Sequence, residues 1–260
     1  MIPVRDLLPT RRAPLVTYAL ITLNVLVFLG ERLVIGAGLT PARLLAAWGL
    51  VPAAVIRAPL ENGVTVVTSM FMHDPAGYLH LGGNMLFLWI FGDNVEDALG
   101  RVRYLAFYLL SGLAAAAAQM LVDPSSHVPM VGASGAIAGV LAAYGSLYPR
   151  APITVVNPIL PLWFVFGIFI QLPAWVIILE FFAVNLWSGL GGLGLGAQGG
   201  VAFFAHLGGF VAGLFLVRVL VSDRPGRAYL PWDGWRAPPR RPLPPSRPHG
   251  YAPRRHGPWD

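Results

Sequence analysis

Three short groups of polar residues, each set in an apolar stretch, carry whatever chemistry this chain performs. The first is Gly132-Ala-Ser134-Gly135. A serine between glycines at the start of a helical run sits where backbone N–H groups are unpaired. An oxyanion forming there would meet donors already aimed at it. The second is Ala205-His206-Leu-Gly-Gly209, with Gly213 four residues further on; an imidazole there is a base if it reaches a hydroxyl on a neighbouring helix. The third is His80-Leu-Gly-Gly-Asn84, whose i, i+4 spacing puts both side chains on one helical face. Each group also has a plainer reading. Gly135 and Gly139, like Gly209 and Gly213, are spaced as small residues that let helices approach, and His80 with Asn84 can be polar glue between helices. Taken together, however, the three groups supply a nucleophile, a base and additional oxyanion donors.

The elements that position them must lie in a bilayer. Of 260 residues, 56% are apolar and only 12% are charged, about half the roughly 25% of a soluble domain. The apolar residues are bunched into runs near the length that crosses a membrane. The reading is an all-α polytopic membrane protein with spans at about Leu15–Gly30, Tyr78–Val95, Tyr104–Val122, Val131–Tyr148, Pro173–Trp187 and Val201–Val221. The first run is read as a span and not a cleavable signal, since no small-x-small site follows it. The stretch from Glu31 to Gly77 is too polar to span simply and belongs in or near the interface. Residues 152–190 hold enough apolar residues for one span or two, with Pro152, Pro158 and Pro161 breaking the front half.

Arginine placement chooses between these counts. All 18 basic residues are arginine, and eight of them lie in residues 223–260 against three aspartates. With six spans and the N-terminus inside, Arg5, Arg11, Arg12, Arg101, Arg103, Arg150 and the tail fall on the cytoplasmic side, as the positive-inside trend asks, and only the long first loop, with Arg32, Arg43 and Arg57, goes against it. Six spans also make the fourth and sixth parallel, which puts Ser134 and His206 at similar depth. Seven would separate them by roughly 20 Å at about 1.5 Å per residue. The expected organisation is therefore an N-terminal cytoplasmic segment (1–12), a six-helix membrane domain (13–221) and a Pro/Arg-rich, disordered cytoplasmic tail (222–260) serving as an electrostatic anchor to anionic lipid.

The three groups, in this order and on the second, fourth and sixth spans, resemble the rhomboid family of intramembrane serine proteases. Thr68-Ser-Met-Phe-Met-His73 and Glu96-x-x-x-Gly100-Arg101 are similar to further motifs of that family. The resemblance implies a six-transmembrane-helix bundle and a Ser–His dyad without an aspartate. Ser134 would be the nucleophile and His206 the general base, with His80, Asn84 and the Ser134 backbone N–H lining the oxyanion hole. Substrates would be transmembrane segments of other proteins, cut where helix-destabilising residues ease unwinding. The setting implied is a bacterial cell (inner) membrane with both termini cytoplasmic. Two positions depart from the family pattern. Ala138 stands where many relatives carry an aromatic residue stacked on the histidine, and Trp48 stands apart from Arg43 and Arg57 where an adjacent Trp-Arg pair is usual.

Other functions fit less well. A proteolytically inactive rhomboid-like protein that binds or escorts membrane clients is the alternative, though such relatives usually lack the serine or the histidine. A transporter would spread ionisable groups along a path or show inverted repeats, and neither is visible. With no cysteine, no lysine, no HExxH and no paired GxGD-type aspartates, thiol, Ser/Lys, zinc and aspartyl chemistry are excluded. No metal, organic cofactor or nucleic-acid partner is expected. Glu180, mid-way through the fifth span, is read as a bundle contact, and His73 and Asp74 as loop contacts. His127, His249 and His256 are read as solvated, and Trp163, Trp175 and Trp187 as interfacial anchors or lipid contacts.

Overall fold

A computed structural model describes residues 1–75, 77–194 and 203–221. The tail assigned to 222–260, with His249 and His256, lies outside the described residues, as do the first two residues of the sixth expected span. The chain begins with a strand, β1 (Ile2–Asp6), and a long helix, α1 (Leu15–Gly36). Four short helices follow, α2 (Pro41–Trp48), α3 (Pro52–Arg57), α4 (Pro59–Asn62) and α5 (Thr65–Thr68), the first three opened by prolines suited to a first helical turn. Helices α6 (Tyr78–Leu99) and α7 (Arg101–Val122) are joined at Gly100. Its φ of 80° reverses the chain without a loop, a conformation open to glycine. Then come α8 (Ser134–Leu147), β2 (Pro152–Val156), a 3₁₀ turn (Leu160–Leu162), α9 (Trp163–Phe166), β3 (Phe169–Pro173), α10 (Ala174–Gly194) and α11 (Phe203–Leu220).

The long helices α1, α6, α7, α8, α10 and α11 stand where the six spans were expected. By length and composition, three of them are able to cross a membrane: α1, α7 and α11. Helix α6 carries Asp93, Glu96 and Asp97 in its last turns, and α8 has only 14 residues. The outermost helix, α1, exposes a row of leucines, among them Leu26 and Leu33. Helix α8 is the reverse: every residue from Gly135 to Tyr144 is buried, so it forms the axis of the bundle.

An all-α architecture is corrected by a three-stranded antiparallel sheet, in the order β1-β2-β3. β2 pairs with β3 from Pro152↔Pro173 to Val156↔Phe169. Of the prolines read as helix breakers, Pro152 opens β2 and Pro158 and Pro161 lie in the connection to β3; the first strand is the β-branched run Ile153-Thr-Val-Val156. β1 adds the outer strand, with a bulge between Pro3 and Arg5. Asp6 ties this sheet to the bundle by accepting hydrogen bonds from Asn94 Nδ2 (2.6 Å) and the Tyr144 hydroxyl (2.9 Å).

Small residues set the helix spacing at the core. A methyl group added at Gly209 would fall on the carbonyl of Gly135, and one at Gly213 on Gly139. Because 135 faces 209 and 139 faces 213, α8 and α11 run parallel at backbone contact distance. On the other side of α8, a methyl at Gly135 would meet Ala115 Cβ at 2.5 Å and one at Gly139 would meet Ser111 Oγ at 2.5 Å. Close packing of this kind replaces the hydrophobic drive that lipid does not provide.

Candidate active site

The glycine stripe brings two of the three sequence groups together. Ser134 opens α8 and His206 lies in the first turn of α11, so parallel helices in backbone contact put both side chains at one level. His206 is buried, and its Nε2 is 2.7 Å from Ser134 Oγ. That is the distance at which an imidazole can take a hydroxyl proton.

The loop before Ser134 is pinned from the polar first loop. Leu50 and Met130 exchange N–H···O bonds of 2.9 and 2.8 Å, Ala53 N–H donates to Ser126 O (3.0 Å), and Gly132 N–H donates to Ser69 O (2.9 Å). Gly132 has φ 126°, and a Cβ there would come within 3.0 Å of both Cε1 and Nε2 of His80. Only glycine lets the loop turn this way with the His80 ring against it. The first ladder bond of α8 is Ile137 N–H to Ala133 O, and no side chain caps this helix. The N–H groups of Ser134, Gly135 and Ala136 therefore precede the ladder at the serine, where the helix dipole is positive.

The third group faces the same place. His80, Asn84, Gly132, Ser134 and His206 line one cleft of about 960 Å³. Asn84 is buried and its Nδ2 lies 3.1 Å from Nε2 of His73. His73 itself, read from the sequence as a loop contact, is fully buried. Its signal was the run Thr68–His73, whose purpose no spacing rule discloses. Burial, and secondarily the charge of His80, lowers the His73 imidazole to about 4 and keeps it neutral.

The aromatic residue missing at Ala138 has a counterpart on another helix. The ring of Phe181, from α10, lies 5.8 Å from the His206 ring at an interplanar angle of 50°. Phe181 also packs against Phe87 of α6, centroid to centroid 5.8 Å. No helix periodicity pointed to this residue, because its partner is on a different helix. Glu180, beside it in sequence and expected to contact the bundle, instead accepts a hydrogen bond from the amino group of Met1, next to β1. Trp175 and Trp187 are exposed on α10, and His127 is exposed in its loop.

Residues 61–223 match the Rhomboid domain. The chain belongs to the rhomboid family, a family of integral membrane proteins that are typically serine proteases. Among curated proteins it is similar to Rhomboid protein 1, mitochondrial, of Saccharomyces cerevisiae, 31% identical over 159 residues, covering 60% of this chain and 41% of the relative. It is likewise similar to RHOMBOID-like protein 5 of Arabidopsis thaliana, 29% identical over 179 residues, covering 68% and 50%. A shorter match, 33% identical over 95 residues, joins 36% of this chain to 6% of Inactive rhomboid protein 1 of Drosophila melanogaster. The chain thus spans half or less of the length of these relatives.

Proposed function

We propose that this protein is an intramembrane serine endopeptidase that hydrolyses peptide bonds in or near the transmembrane segments of other membrane proteins. The observation that carries the reading is the 2.7 Å contact between Ser134 Oγ and His206 Nε2. In this mechanism His206 accepts the serine proton as Oγ attacks the scissile carbonyl, then returns it to the leaving amine. The Ser134 backbone N–H, His80 and Asn84 stabilise the negative charge that grows on the carbonyl oxygen. Phe181 flanks the imidazole and limits its rotation. Arrangement as six spans, both termini on the arginine-rich side, is supported by the parallel course of α8 and α11. Relatives whose names carry a compartment are mitochondrial or chloroplastic, so the expected bacterial inner membrane gains no support from them; the setting proposed is a membrane.

The alternative, a client-binding protein without chemistry, has a relative bearing the word inactive in its name. Retention of both Ser134 and His206 at hydrogen-bond distance argues against it. The test is cleavage of a single-span substrate by the purified chain in detergent, with Ser134→Ala and His206→Ala beside it. Activity lost in both variants supports the protease. Cleavage that continues without the serine ends the proposal.

A further inference from the structure

The loop that leads into α6 does more than connect two helices. His73 Nδ1 is 3.2 Å from the carbonyl of Phe71. A carbonyl oxygen only accepts, so Nδ1 carries the proton and donates it. In a neutral imidazole Nε2 is then an acceptor, and it faces Nδ2 of Asn84 at 3.1 Å, which donates. Were the Asn84 amide turned over, its oxygen would face a lone pair in a buried site, a costly arrangement. The Phe71 carbonyl, through His73, therefore decides which end of the amide faces the loop. The next residue acts on the other side chain: Asp74 N–H lies 3.4 Å from His80 Nδ1. Accepting there leaves the His80 proton on Nε2, the atom that lies against Gly132. The loop is itself held from α1, where Glu31 Oε1 accepts His73 N–H (3.2 Å) and Arg32 donates to Pro75 O (2.7 Å).

We propose that His73 is a positioning residue that locks the Asn84 amide as a hydrogen-bond donor beside Ser134 before any substrate arrives. The inference rests on the oxyanion role given to Asn84 above. His73 touches no reacting atom: it acts through the 3.1 Å contact to Asn84, while its ring also packs 5.2 Å from that of His80.

A double-mutant cycle on the purified full-length chain, with a single-span substrate, tests this. Asn84→Ala is expected to lower kcat by about 100-fold, as loss of one oxyanion donor does. His73→Ala is expected to lower kcat by about 10- to 100-fold with KM within about twofold, and to add less than about threefold in the Asn84→Ala background. His73→Gln, whose amide oxygen still accepts, should recover part of the rate when Asn84 is present and none when it is absent. This pair carries the test if His73→Ala fails to fold. Losses that multiply in the double variant, or a His73→Gln rescue independent of Asn84, overturn the inference. Its failure is separable from failure of the protease reading: labelling of Ser134 by a fluorophosphonate probe, abolished in Ser134→Ala, reports the dyad whatever the cycle gives.

Discussion

Gly209→Ala puts the geometry of the dyad under direct load. The added methyl would sit on the Gly135 carbonyl, 2.8 Å from its carbon and 3.4 Å from Gly135 Cα. Carbon contacts relax at about 3.5–4.0 Å, so α11 and α8 must part by roughly 1 Å at this level. His206, one turn earlier on α11, moves with the helix. The 2.7 Å contact to Ser134 then opens to about 3.7 Å, beyond hydrogen-bond range. Overpacking of this kind costs about 1–3 kcal/mol of stability, whereas losing an aligned base costs about 100-fold or more in rate. The expected result is a folded protein, slightly less heat-stable, with kcat down about 100-fold and fluorophosphonate labelling slowed in parallel. Gly30→Ala is the matched control, because nothing lies within 4 Å of its added methyl. It should leave the rate unchanged. Measurements are initial rates on a single-span substrate in detergent, with melting followed by intrinsic fluorescence. A Gly209→Ala protein within about threefold of the parent kcat would refute the claim that backbone contact sets the Ser134–His206 distance.

Further expectations concern the residues around this pair. Phe181→Ala removes the ring beside His206 and should lower kcat by about tenfold, while Phe181→Leu, which keeps bulk, should lose less; equal rates for all three would show that the ring does not restrain the imidazole. Glu96 accepts N–H bonds from Val16 (3.1 Å) and Thr17 (2.8 Å) and the Thr17 hydroxyl (2.9 Å), so it caps α1. Its replacement by alanine should cost about 2–3 kcal/mol, seen as a lower melting temperature, and an unchanged melt would contradict the capping role. Burial, then the charge of Asp93, raises the Asp6 carboxyl to about 7 from an ordinary 3.8. A raised acid stabilises the fold fully below its unfolded value and loses that contribution as pH climbs to the folded value. The parent should therefore lose stability between about pH 4 and 7, and Asp6→Asn should flatten that part of the melting profile; a slope unaltered in the variant would assign it elsewhere.

The candidate site was legible in the sequence where its parts announce themselves locally. Ser134, His206, His80 and Asn84 are polar residues in apolar runs, where polarity is expensive, and the glycines at four-residue spacing marked the face on which α8 and α11 meet. The helices that carry them were equally visible as apolar runs, although α1 continues to Gly36 and α8 begins only at Ser134. What escaped depends on pairing across long separations. β1 and β2 are joined across about 150 residues, and β1 is mostly exposed, so no local period exposes it. Phe181 and His73 escaped for a related reason: Phe181 on α10 meets His206 on α11, and His73 in the loop before α6 meets Asn84 within it, contacts that no local period shows. Helix α6, read as a span over Tyr78–Val95, continues to Leu99 and carries Asp93, Glu96 and Asp97 near its end, and it is not among the three helices able by length and composition to cross a membrane.

The brevity of α8 has a consequence for supply. Fourteen residues rise about 21 Å, short of a hydrocarbon layer of about 30 Å. At the Ser134 end of this helix, Ser69, Gln119, Asp123 and Ser126 are among the residues that line the cleft. Hydrolysis consumes one solvent molecule per bond cut, and the surrounding acyl chains hold none. Under the proposed protease reading, a short central helix whose serine opens into a cleft partly lined by polar side chains would give the second reactant a route to an acylated Ser134.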